Sequence, residues 1–139
     1  MIKKKNIRQI IPIIVMLIVV FILNNNEVKD SNKQQKNLES LYKSKAYGIL
    51  ITIEAQVEKV LKDDTVGDRH QKMILRVGKN TVLLAHNIDV ATRVPIKEND
   101  TIIVKGEYEW NQKGGVIHWT HKKNNNSYGW IMHKNKKYQ

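Results

Sequence analysis

Four cations, Lys3, Lys4, Lys5 and Arg8, stand ahead of an apolar run over residues 10–23, and nothing else in the chain restricts its fate so strongly. Charge followed by hydrocarbon is how an export signal begins. The 14 residues of that run rise only about 21 Å as a helix. That is short of the ~30 Å hydrocarbon core and suits a signal-peptide h-region better than a comfortable span. The exit argues the other way, because Phe21, Ile22 and Leu23 lead into Asn24, Asn25 and Asn26 with no small-x-small cleavage site. An uncleaved signal anchor is therefore expected. The lysines then stay in the cytoplasm, and everything after Asn24 lies on the extracytoplasmic side, periplasm or cell surface. Secretion after cleavage is the alternative. A core helix would carry a polar face, and this segment has none.

Beyond the anchor, residues 24–36 are Asn, Lys, Gln, Glu and Asp with almost nothing to bury, which predicts a solvated tether. Residues 37–46 follow as a short second helix, with Leu38, Leu41 and Tyr42 on one side. The expected organisation is an anchor over 1–23, a polar tether with a short helix over 24–46, and a folded domain with a basic C-terminal tail over 47–139.

The domain reads as mainly β. Ile49, Ile51 and Ile53 alternate with Leu50, Thr52 and Glu54, and the extended pattern continues through Val57 and Val60. After a turn at Asp63, Asp64 and Gly67, residues 71–77 and 81–86 form a hairpin across Gly78, Lys79 and Asn80. A connection containing Pro95 leads to strands over 101–111 and 115–121. A long bent first strand, a hairpin, an excursion and two more strands match a small five-stranded OB-like barrel. A barrel of another topology is the runner-up. Either closure removes the edges that a flat sheet would expose.

The net charge of +11 would suggest a nucleic-acid partner if it were spread over this domain. It is not. Residues 47–121 hold ten basic and ten acidic side chains, so the body is neutral, whereas residues 122–139 carry five basic groups and no acidic one. Basic ends on a neutral body suit an anionic surface, whether lipid headgroups or nucleic acid.

Several strings in the domain stand out: His70-Gln71, Ala85-His86-Asn87-Ile88-Asp89, Gly106-Glu107-Tyr108-Glu109-Trp110-Asn111, Gly114-Gly115-Val116-Ile117-His118-Trp119-Thr120-His121, and Gly129-Trp130. Together they resemble the bacterial family of domain of unknown function 3465 over about residues 55–139. The resemblance implies a small exported domain and no particular substrate. It also shows departures. Lys122, Lys123 and Asn124 stand where the family continues with a second His and an Asp-Pro, and Val90-Ala91-Thr92-Arg93 replaces Leu-Ala-Pro-Arg. Had the missing groups been metal ligands, this chain would have lost them.

The absence of cysteine rules out disulfides, thiolate metal sites and a cysteine nucleophile. Any metal must be held by His or oxygen ligands; no cofactor is required by the sequence, and a divalent metal is compatible with it. On an extended strand His118 and Thr120 face one way, Trp119 and His121 the other, so that pair should not chelate one ion. A cross-strand set of His118 with His70 or His86 and a carboxylate from Glu107 or Glu109 would suit zinc or manganese. The plainer account has these histidines hydrogen-bonded at the barrel rim. Glu107 and Glu109 share one strand face and would serve as an acid and base pair only if their surroundings separated their pKa values. Tyr108, Trp110, Trp119 and Trp130 offer rings for stacking or for the core. Asp63, Asp64 and Asp68 lack calcium-loop order, and Arg69, Arg76 and Arg93 are not placed together by spacing. No phosphate loop, nucleophile elbow or His-Glu-x-x-His helix occurs.

The expected function is binding. The expected surface comprises His70, Gln71, His86, Asn87, Asp89, Arg93, Glu107, Glu109, Trp110, Asn111, His118, Trp119 and His121, with single-stranded nucleic acid or a glycan as ligand. The membrane is the partner of residues 10–23, and anionic lipid that of the C-terminal lysines. Alternatives are a metal-dependent phosphodiesterase or nuclease on the same barrel, or an envelope scaffold.

Overall fold

The computed structural model of the chain describes residues 4–124, 126 and 128–139, with side chains from Ile10 onward. Lys3, first of the basic leaders, lies outside the described residues. Two units separate at Lys33 and Gln34. The first consists of helix, part of α1 (Lys4–Lys43), and its large apolar side chains over 10–23 are exposed. Within α1, Ile10–Lys43 is long and apolar enough to cross a membrane by length and composition.

Residues 24–36 are helical, and the short helix expected over 37–46 is the end of α1 itself. Low hydrophobicity predicted a coil there, but between Pro12 and Gly48 no proline or glycine interrupts the chain and Gln, Lys and Glu are adequate helix formers. The last turns have a tertiary reason to exist. Leu38 is buried in the domain core, with Leu41 packed against it. Gln34 Oε1 accepts from the Glu54 amide at 2.9 Å, and Asn80 donates to Glu39 at 3.3 Å. The helix closes with Ala46 N–H on the Leu41 carbonyl, Lys45 N–H on the Tyr42 carbonyl, and Lys45 at φ 50°. This is a Schellman cap with lysine where glycine is usual.

In the second unit, β1 (Ile49–Val60), β2 (His70–Val77), β3 (Asn80–Asn87), β4 (Thr101–Glu109) and β5 (Val116–His118) pair in the order β1-β2-β3-β5-β4, with β4 returning to β1. The circuit is a closed, OB-like five-stranded barrel. Its closure depends on the bend in β1: residues 49–56 pair with β4 and residues 56–60 with β2, the latter pairing shifted by an irregularity between Val57 and Lys59. The β3–β5 pairing is parallel and the others around the barrel antiparallel. Gly78 at φ 60° opens the two-residue turn between β2 and β3, as a type II′ hairpin requires. Inward positions are apolar and buried, among them Val57, Met73, Leu75, Leu84, Val104 and Ile117.

The basic stretch expected as a tail is folded. Here β6 (Trp130–His133) and β7 (Lys136–Tyr138) form a hairpin whose first strand pairs with β4 through Ile103, Val104 and Lys105. Lys134 and Asn135, both at positive φ, make its turn, the type I′ geometry that hairpin twist favours. The alternation was present in the sequence, with Ile131, His133 and Tyr138 buried. The exposed lysines between them masked it.

Candidate functional site

Outward positions of neighbouring strands meet in one patch of the barrel wall. His70 and Asn87 are register partners on β2 and β3. Parallel pairing of Leu84 with Ile117 brings His118 alongside Ala85, and antiparallel pairing sets His118 opposite Glu107 on β4, with Glu109 on the same strand face. A cavity of about 360 Å³ opens here, lined by Asp68, His70, Ala85, Asn87, Val90, His118, Trp119 and His121.

Trp119 and His121 reach this cavity because strand parity ends at His118. Trp119 sits at φ 53°, a left-handed conformation costly for a bulky residue, and beyond this break Thr120 is buried while His121 lines the same cavity as His118. The expectation that His118 and His121 face apart is corrected on this point. The ring centroids of His118 and Trp119 are 6.0 Å apart, and those of Trp119 and His121 5.3 Å. Trp119 is 39% exposed, and Lys123 Nζ lies 4.9 Å from its ring centroid.

Backbone carbonyls assign the imidazole tautomers. His70 Nδ1 is 2.8 Å from the Asp68 carbonyl and His121 Nδ1 2.7 Å from that of Lys122. A carbonyl only accepts, so both Nδ1 atoms carry the proton and each neutral ring keeps its lone pair on Nε2. Nε2 of His118 is buried without a hydrogen-bond partner among the described residues, although Glu109 Oε1 is only 3.1 Å away. The two are close but out of line. Tyr128 Oη donates to Glu107 Oε1, and this bond to the carboxylate is the main reason the phenol pKa is raised.

The remaining sequence candidates lie elsewhere. Gln71 is buried, its side chain donating to the Val94 carbonyl at 2.8 Å and accepting from the Val94 amide at 3.0 Å. His86 is also buried, with Nε2 on the Thr92 carbonyl and Nδ1 at 2.7 Å from Thr120 Oγ1. Both anchor loops from inside the barrel. Asp89 pairs with Arg69 at 2.7 Å, Arg93 with Asp63, and Arg76 with Glu58. Asn111 Oδ1 accepts from the Lys113 and Gly115 amides in the β4–β5 turn. Trp110 packs near Tyr42 at 6.2 Å, with Lys45 over its ring, and Tyr108 is fully buried. Of the four rings considered for stacking, Trp119 is the one that lines the cavity. A larger space of about 450 Å³ lies along the seam between the α1 end and the turns at Lys79 and Gln112. Among the described residues its lining has no histidine.

Asp68 lines the cavity from a loop, while Lys123, over the Trp119 ring, and Tyr128, bonded to Glu107, flank it. Asp68 was readable only as a weak calcium candidate and Lys123 only as one of the basic C-terminal lysines; Tyr128 had no sequence signal, since no periodicity links a loop residue to β4.

Burial of His86 gives the domain a pH response. Desolvation lowers its pKa from the ordinary 6.5, outweighing the Thr92 carbonyl bond that raises it. The unfolded chain therefore takes up a proton near pH 6.5 that the folded chain resists. The contribution is fully present above that pH and is lost as pH falls through the depressed folded value. The melting temperature is expected to decline from pH 7 to pH 5, and less so in His86→Gln. A flat profile over that range in the parent protein would refute the assignment.

A family model described as protein of unknown function (DUF3465) matches residues 18–139. No curated protein and no solved structure matches the chain.

Proposed function

The chain belongs to the DUF3465 family, and on that premise we propose that it is a membrane-tethered, extracytoplasmic domain that binds a glycan in the cavity around Trp119. Support for the tether is the exposed apolar helix behind Lys4, Lys5 and Arg8, with orientation following the positive-inside rule. A reporter fused to the C-terminus would be active outside the cytoplasm. Activity confined to the cytosol would refute this topology.

The choice of glycan rests on the polarity of the cavity wall. It presents lone pairs from His70 and His121 and the carboxylate of Asp68, and among the described residues its lining has no lysine or arginine. Such a wall accepts hydrogen bonds from hydroxyl groups, and Lys123 sits over the Trp119 ring rather than in the lining. A nucleic-acid backbone needs the opposite, cations that neutralise its charge. Trp119 supplies the flat apolar face on which a sugar ring's C–H edge can rest. The β2–β3 face is also where OB-folds hold oligosaccharides and oligonucleotides.

Full-length protein in a detergent lacking sugar headgroups, titrated with neutral and amino-sugar oligosaccharides, is expected to change its tryptophan fluorescence saturably. In Trp119→Ala the affinity should fall roughly 5- to 150-fold, corresponding to the ~1–3 kcal/mol of a stacked ring. Unchanged affinity in that variant would move the ligand elsewhere. Saturable binding of a single-stranded oligonucleotide with no response to sugars would replace the glycan reading.

A further inference from the structure

Glu107 and His118 face each other across the β4–β5 ladder, and Glu109 shares their side of the sheet. One ligand atom from each lies within 4.8 Å of the other two. Among the described residues buried His118 Nε2 makes no hydrogen bond, although a carboxylate oxygen is 3.1 Å away. A buried polar atom without a partner is destabilising. In the tautomer with the proton on Nδ1, Nε2 presents a lone pair that a carboxylate, itself only an acceptor, cannot satisfy. One positive centre would take lone pairs from all three groups at once.

We propose that Glu107, Glu109 and His118 bind a single divalent transition-metal ion of the zinc type. Imidazole among the donors argues against magnesium and calcium, which prefer all-oxygen shells, and the lack of thiolate argues against soft ions. Zinc bond lengths of about 2.0–2.2 Å put two ligand atoms of a tetrahedral ion roughly 3.4 Å apart. The 3.1 Å between His118 Nε2 and Glu109 Oε1 is already close to that spacing. Three protein ligands leave a fourth position open, the arrangement of catalytic and ligand-binding zinc rather than of structural zinc. His118 also lines the Trp119 cavity, so the open position adjoins the space where a ligand oxygen would enter. Tyr128, donating to Glu107, orients that carboxylate from outside the coordination shell.

This site does not depend on the glycan reading, and its test contains no sugar. Full-length protein without a polyhistidine tag, stripped by chelator in detergent micelles, is titrated with Zn²⁺ by calorimetry and with Co²⁺ by visible absorption. One equivalent should bind, with the strong visible band of a four- or five-coordinate cobalt ion. His118→Gln and Glu109→Gln should each weaken binding more than about tenfold, and Tyr128→Phe roughly tenfold. His70→Gln and His121→Gln should bind as the parent does. Thermal melts of the metal-free variants establish that the fold is retained. Absence of saturable binding, or saturable binding that His118→Gln and Glu109→Gln leave unchanged, would overturn the site. Equal losses in His70→Gln or His121→Gln would overturn the three-residue assignment.

Discussion

Gly129→Ala is expected to lower the melting temperature by roughly 10–20 °C, equivalent to about 3 kcal/mol in a domain of this size. The conformation of Gly129 is not the reason, since its φ is one that other residues adopt; the reason is space. A Cβ on Gly129 would lie 1.9 Å from the Trp119 carbonyl oxygen and 2.9 Å from both the Lys105 carbonyl oxygen and Thr120 Cα. All three are backbone-held atoms, so no side chain can swing aside. The clash falls where residues 119–121 pass between β4 and the entry to β6, and Gly129 N–H bonds the His121 carbonyl at 3.0 Å. Relief would have to push Trp119 and His121 out of the cavity wall, so ligand-dependent fluorescence should be lost together with stability. Gly67→Ala is the internal control. Gly67 has open space around it and only a φ of 73° to oppose a side chain, a cost of about 1–2 kcal/mol. Equal melting temperatures for Gly129→Ala and the parent would show that this crossing is looser than the geometry indicates.

Leu38→Ala carries the second large effect, a loss of about 2–5 kcal/mol from a cavity in the core. Leu38 is only 3% exposed although it belongs to the helix rather than the barrel. Its neighbours along the helix are polar and bonded to the β-domain, as in Gln34 to Glu54 and Glu39 to Asn80. The last turns of α1 therefore act as a plug for the barrel, and truncation at Leu38 should lower the denaturant midpoint sharply with little change in slope. Val28→Ala, at an exposed position earlier in α1, should be close to neutral. If Leu38→Ala were equally neutral, the helix end would be an appendage and not a structural part of the domain.

Most of the barrel was legible because alternation is local. Ile53, Ala55 and Val57, or Met73, Leu75 and Val77, bury every second side chain, and that period is written in the order of residues regardless of what they pair with. The β6–β7 hairpin was missed because Lys134, Lys136 and Lys137 dominate a seven- to nine-residue window, although Ile131 and His133 keep the same period and Tyr138 pairs with Ile131 across the turn. The continuous helix was missed for a related reason. Residues 24–36 lack apolar content, and composition does not reveal that the turns beyond them are held from outside.

The candidate site was legible as residue types and illegible as a constellation. His70, Glu107, Glu109, His118, Trp119 and His121 were all singled out, but so were Gln71, His86, Trp110 and Asn111, which the fold assigns to loop anchoring, the helix seam and a turn. Parity alone would have separated the buried His86 from the outward-facing His118. It would have failed at Trp119, whose left-handed backbone ends the strand pattern.

The order of residues determined that a basic and apolar start precedes a small closed β-domain, because hydropathy and period-two alternation act between near neighbours and need no tertiary partner. Only the tertiary structure decided which groups share a wall. Barrel closure, the parallel β3–β5 register and the reversal at Trp119 set side chains tens of residues apart within a few ångströms. Those distances follow from how the sheet curves back on itself, a property of the whole domain that no local window contains.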